Sequence, residues 1–327
     1  MSVSQTARFA AFIATLGRGP GRSRALSREE SREAFGMALR GEADPHQVGA
    51  FLMLLRYRGE DPDEITGLVE AARAGFGGAL SGAADLDWPS YGAGHTRDLP
   101  WFLLSALALA RAGVRVLMHG SNEFSAAVSV EDGLARLGLA PALGLAGAAR
   151  ALEVERFAYL PVARLSPEMA RLLAMRALFG LRSPVNTASR LLDPAAAPAG
   201  IDGVFHPPYI DVHLGVAERL RRPRLLVLKG GGGEAERNPA KPLAAHLWDA
   251  SAGRTEILFP ARHATTMRSP RASDPGLLGG VWRGEAEPPL GIATIMATIA
   301  TALVATGRFE NPAEADDAAI SIWRRRL

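Results

Sequence analysis

Apolar residues recur at three- and four-residue intervals through the first 80 positions, the spacing that gives successive helices one buried face each. In "LSREESREAFGMALRG", Ser27 stands where a helix begins, Glu30 follows at capping-box distance, and Gly41 supplies a stop. Asp44-Pro45 and Asp61-Pro62 repeat one device, an Asp cap followed by Pro at the first helical position. Gly59 ends the first of these two helices. The pattern predicts a small helical unit.

After Asp85 the rhythm changes. Short apolar runs at 114–120, 156–161, 223–230 and 255–260 predict strands, and helical periodicity separates them. Helices are predicted over 101–113, 125–138, 288–307 and 312–326, and one strong helix over 166–182, with Ser166 as cap and Pro167 at its first position. Strands alternating with helices imply an α/β domain with a mostly parallel central sheet. Ligands of such sheets sit beyond the carboxyl ends of the strands, which draws the loops 91–98, 118–125 and 229–242 into one expected site. "DPAAAPAG" (193–200) reads as a connector.

The 327 residues suffice for one large domain or two unequal ones. No N-terminal stretch joins a basic start to an apolar run and no 18-residue apolar span appears, so neither export nor membrane insertion is expected; the most apolar stretch, 288–307, contains Pro, Gly and four Thr and reads as a buried helix. Cysteine is absent, which excludes disulfides and thiolate metal sites and fits a cytoplasmic setting. The net charge of +3 is mild, but residues 218–271 hold 11 basic against 5 acidic groups. Such a local excess implies a basic patch able to meet a polyanion.

That patch surrounds "LKGGGGEAERNPAKP" (228–242). A strand running into glycines can present backbone N–H groups as an anion nest, here at Gly230 and Gly231 beside Lys229. Lys229 precedes the glycines rather than following them, and Pro239 and Pro242 interrupt what comes after, so neither nucleotide-binding fingerprint is met. Glu234 and Glu236 offer carboxylates for Mg²⁺ or acid–base work, or else pair with Arg237 on a solvated surface. His95 and His119 follow strand-like segments and are expected to face one crevice, as acids, bases or phosphate donors, or else to serve as caps or core groups. No His pair has helical metal spacing, and no nucleophile elbow occurs.

The order of these segments resembles glycosyl transferase family 3, the family of the anthranilate phosphoribosyltransferases and pyrimidine-nucleoside phosphorylases. "SPEMARLLAMRALFGLRSPVNTASRLLDPA" (166–195) is similar to the family block "HPAM…VR..LG.RT.FN..GPL.NPA". "VLMHGSNEFSAAVSVEDGLARLG" (116–138) is similar to the "KHGN" loop and the helix after it, and "KGGGGEAER" falls where the family carries "HGxDGLDE". The resemblance implies a small all-helical domain (1–84 and 166–192), a large α/β domain (85–165 and 193–327) carrying the cleft, and a homodimer. It implies phosphoribosyl pyrophosphate (PRPP) and Mg²⁺ in the cleft, with Gly92, Gly94, His95, Thr96, His119, Gly120, Lys229, Gly230 and Gly231 on the phosphate side. Arg176, Arg182 and Asn186 fall on the acceptor side, with His119 and Arg176 as catalytic candidates.

Departures from the family pattern lie on the donor side. The family's "GTGGD" becomes "GAGHTRD", the Lys of "KHGN" becomes Met118, and the metal-holding "DE" becomes Ala235-Glu236. The chain is similar in this to a divergent branch linked to nucleic-acid binding. That link makes Arg221, Arg222, Arg224, Lys229, Arg237 and Lys241 candidate contacts to a single-stranded nucleic acid of low sequence preference. The other reading is an active phosphoribosyl transferase with a non-anthranilate acceptor, in which Mg²⁺ is needed only if transfer is retained.

Overall fold

The computed structural model describes residues 3–19, 21–92, 99–121, 128–262 and 274–327. The chain opens with α1 (Val3–Gly17), α2 (Arg28–Leu39), α3 (Pro45–Arg58) and α4 (Pro62–Arg73). Ser27 caps α2 in a capping box with Glu30, and the Asp44 and Asp61 carboxylates accept from the first-turn N–H groups of α3 and α4, each of which begins with Pro. The cap spacing alone therefore locates these three starts.

β1 (Leu86–Ser90), α5 (Trp101–Arg111), β2 (Val116–Gly120), α6 (Val130–Arg136), α7 (Leu145–Val154) and β3 (Phe157–Pro161) follow. The region predicted as one helix over 166–182 is divided. After a turn, α8 (Val162–Leu165), come α9 (Pro167–Ala174) and the short α10 (Arg176–Phe179), which Gly180 ends in the left-handed region at φ 70°. Then come α11 (Pro184–Arg190), β4 (Ala199–Val204), α12 (Tyr209–Arg219), β5 (Arg224–Lys229) and a 3₁₀ turn over Gly231–Gly233. The hairpin β6 (Leu243–Asp249) and β7 (Gly253–Phe259), then α13 (Gly276–Arg283), α14 (Pro289–Ala305) and α15 (Pro312–Arg324), complete the fold.

The seven strands form one sheet in the order β3-β2-β1-β4-β5-β6-β7, parallel from β3 through β5, with β6 and β7 antiparallel. Alternation along each strand sends side chains to two cores. Trp88, Met118, Ile201, Leu226 and Leu228 face α5 and α14, while Leu117, Ala158, Leu225 and Val227 join the core shared with α3, α4 and α11. The fold is thus a small helical domain beside a large α/β domain with a mostly parallel sheet. Registers Ser90↔Gly120 and Val204↔Lys229 place the carboxyl ends of β1, β2, β4 and β5 along one edge. Among the described residues, no helix is long and apolar enough to cross a membrane.

Candidate functional site

At that edge, between the helical layer and the end of β4, lies a cavity of about 250 Å³. The break between α9 and α10 turns Arg176 into it, the chain after Gly180 brings Arg182, and α11 adds Asn186 and Arg190 one turn apart. The acceptor-side set Arg176, Arg182 and Asn186 is therefore assembled. Asn186 also accepts the Ser183 N–H through Oδ1, closing a capping box on α11.

Sequence reasoning did not single out the rest of the lining. Arg56 and Glu60 come from the end of α3 and the turn after it, and Tyr209 from the start of α12. The Tyr209 hydroxyl accepts from Arg56 and donates to Glu60 Oε1 at 3.2 Å. Arg190 is buried, donating to Asp202 Oδ1 at 3.1 Å and to the Tyr91 carbonyl at 2.9 Å. Asp202 in turn holds His213 Nδ1 at 2.6 Å. Arg182 has no hydrogen bond or ion pair among the described residues; burial first, then Arg190, Arg176 and Arg56, push its pKa down to about 10.

His119 corrects the crevice expectation. It is fully buried inside β2, with Nδ1 2.9 Å from the Tyr91 hydroxyl and Nε2 3.2 Å from Asp87 Oδ1. It holds the end of β1 in place and is not exposed to a ligand. Gly120 serves packing too, since a Cβ there would sit 2.0 Å from the Ser90 carbonyl oxygen. Gly94, His95 and Thr96 lie outside the described residues; Gly92, partly buried, directly follows Tyr91.

The glycine run is a packing turn more than an anion nest. The Gly230 N–H donates to the Val204 carbonyl at 3.0 Å, and those of Gly233 and Glu234 close the 3₁₀ turn. A Cβ on Gly230 would come within 1.6 Å of the Glu234 carbonyl oxygen. Lys229 and Gly231 are exposed beside it. Both glutamates depart from the surface pairing with Arg237. Glu234 is 3% exposed, 3.8 Å from Arg190, with neither oxygen in a well-formed hydrogen bond; burial pushes its pKa up to about 7, against the lowering pull of Arg190 and the nearby Ser90 hydroxyl. Glu236 Oε2 accepts the Phe102 N–H at 2.9 Å, satisfying the start of α5. Among the described residues no group of three His, Asp or Glu is placed to hold a metal ion.

The proposed nucleic-acid contacts separate into buried and exposed sets. Arg222 is 2% exposed, donating to Asp87 Oδ2 at 3.1 Å and lying 3.4 Å from Asp193 Oδ2. Arg237 is equally enclosed, paired with Asp316 at 3.1 Å, donating to the Pro260 carbonyl at 2.6 Å and stacked over Phe259. Arg224 pairs with Asp249 and donates to the Ala305 carbonyl. Arg222 and Arg237 are committed to internal partners and enclosed, and Arg224, partly exposed, is paired as well. Arg221, Lys229 and Lys241 remain exposed. Arg221 precedes β5 and Lys229 ends it, at opposite ends of the strand.

Residues 10–74 match the glycosyl transferase family, helical bundle domain. The anthranilate phosphoribosyltransferase of Methylobacterium sp. (strain 4-46) is 30% identical over 290 residues, covering 86% of each chain. Among solved structures, anthranilate phosphoribosyltransferase from Thermus thermophilus superposes with a TM-score of 0.78 at 23% identity, over 98% of this chain and 95% of that one. The Saccharomyces cerevisiae enzyme in complex with PRPP and Mg superposes with a TM-score of 0.75 at 16% identity, over 98% and 94%. At these identities the two structures establish the fold.

Proposed function

The chain belongs to the anthranilate phosphoribosyltransferase family, and we propose that it is a phosphoribosyl transferase passing the pentosyl group of PRPP to an anionic acceptor held in the arginine-lined cavity. The observation that carries this reading is the convergence of Arg176, Arg182 and Arg190 on one cavity at the carboxyl edge of the sheet. The acceptor's nitrogen attacks the anomeric carbon while the bond to the diphosphate oxygen breaks. The diphosphate leaves with the bonding electrons, and the nitrogen's proton passes to water. This chain's contribution is binding and orientation: guanidinium forks fix an acidic group, Asp202 and the Tyr91 carbonyl hold Arg190 in place, and the His119–Tyr91 contact anchors the backbone just before Gly92.

A nucleic-acid role has less support, since Arg222, Arg224 and Arg237 are held by internal acids and carbonyls. A homodimer through the helical domain is part of the proposal; Tyr57 on α3 and Leu178 on α10 are 90% and 82% exposed, and light scattering will read the mass. The test of the function is diphosphate release from PRPP and Mg²⁺ with a panel of aromatic amino acids and nucleobases. Release that requires an anionic acceptor and is lost in Arg176→Gln supports the transferase. No release with any acceptor, together with salt-steep oligonucleotide binding, overturns it.

A further inference from the structure

The cavity's charge, volume and walls specify more than an anionic acceptor. Its lining holds four guanidinium groups, Arg56, Arg176, Arg182 and Arg190, against one carboxylate, Glu60. Arg56 is matched by Glu60 through direct contact and the shared Tyr209 hydroxyl. Arg190 is matched from outside the lining by Asp202 and Glu234. Arg182 has no ion pair among the described residues; burial first, then Arg190, Arg176 and Arg56, lower its proton affinity, with Glu234 acting more weakly against them. Like charges held close at low local dielectric are costly unless a counter-charge enters. An acceptor whose only carboxylate is bound at Arg176 leaves Arg182 unanswered.

Size and shape narrow the class. A cavity of about 150 Å³ accommodates benzene, so 250 Å³ has room for one substituted ring. Phe205, 40% exposed, stands edge-on to His206 with ring centroids 4.8 Å apart, giving one wall an aromatic surface. We propose that the acceptor is a single-ring aromatic amine carrying two carboxylates, one held by Arg176 and the second by Arg182, so that Arg182 sets the preference for a dianion. This rests on the transferase reading and names its substrate class.

The test is calorimetric binding of aminoterephthalate, anthranilate and inorganic phosphate to the full chain at low salt, beside diphosphate release from PRPP with each amine. The dianion is expected to bind at least about tenfold more tightly than the monoanion, a difference of about 1.4 kcal/mol. Arg182→Gln should weaken both but remove most of that ratio, whereas Arg182→Lys should keep part of it. Melting of each variant checks that the fold is retained. Equal binding of the two amines, or phosphate binding as tightly as the dianion, overturns the proposal. Preferential dianion binding without diphosphate release would sink the transferase reading and leave the ligand class standing. Release that proceeds equally well with the monoanion would do the reverse.

Discussion

Replacing Arg222 with Met separates structural charge from ligand-binding charge in this fold. Its guanidinium lies between Asp87 and Asp193, at 3.1 and 3.4 Å, and all three side chains are 5% exposed or less. Burial alone would raise Asp87, yet His119 and Arg222 hold it below the usual carboxylate range. Without Arg222, Asp87 keeps only His119, and Asp193 keeps Arg73 at 3.6 Å. Removing one member of a buried ion pair costs about 3–5 kcal/mol, because a charge is left without its partner. With an unfolding entropy of ~2.1 cal/mol/K per residue over the 327 residues, that corresponds to a fall in Tm of about 4–7 °C. Urea unfolding followed by circular dichroism will read the loss, with Lys229→Ala/Lys241→Ala as the exposed comparison, expected within about 0.5 kcal/mol of the parent. The Arg222 deficit should persist at high salt, since buried pairs are poorly screened. An Arg222→Met protein that unfolds like the parent but loses oligonucleotide binding would refute this reasoning and place Arg222 on a binding surface.

Two further outcomes follow from local geometry. Gly230→Ala should destabilise by about 3 kcal/mol or more, because the added Cβ meets the Glu234 carbonyl oxygen, while Gly231→Ala, with open space around it, should stay within about 1 kcal/mol; similar urea midpoints for the two would show that the run is a loose loop. Glu64, buried between α2 and α4 with Oε1 accepting the Leu26 N–H at 2.8 Å, has its pKa pushed up to about 7, chiefly by burial. A folded pKa above the unfolded value near 4.5 means that its contribution to stability is fully present below about pH 4.5 and is lost as pH rises through about 7. Glu64→Gln keeps the acceptor without the charge. It should match the parent at pH 4.5 and exceed it by up to about 3 kcal/mol at pH 8.5, measured by urea titration; a constant difference across that range would count against the linkage.

What the sequence made legible was local. The Asp-Pro and Ser-x-x-Glu starts depend only on neighbouring backbone N–H groups, and they gave α2, α3 and α4 directly. Two of the strands that escaped notice, β1 and β4, have compositions that argue against β structure. β1 is "LDWPS", with Pro89 inside it, yet it lies between β2 and β4. It can, because its ladder to β4 extends only over Leu86 and Asp87, leaving Pro89 beyond the pairs on that side. β4, "AGIDGV", carries Gly203 because Glu234 packs against it, with the Glu234 carbonyl carbon 2.2 Å from where a Cβ would stand. Such contacts arise from residues about 30 positions apart, and no short window along the chain contains both.

The same distinction runs through the site. Arg176, Arg182 and Asn186 were visible because one contiguous motif carries them, and Arg190 stands one helical turn beyond Asn186, a spacing that would have added it. Arg56, Glu60 and Tyr209 come from other elements and meet these residues only through the tertiary fold. Charge in a sequence, moreover, does not say which side of the surface it occupies. Of the six cations placed on a binding face, Arg222 and Arg237 lie inside with Asp87 and Asp316, residues more than 75 positions away in the chain. A basic excess counted over 218–271 therefore overstates the surface patch. The cations that line the cavity, at 56, 176, 182 and 190, all lie outside the window where the excess is counted.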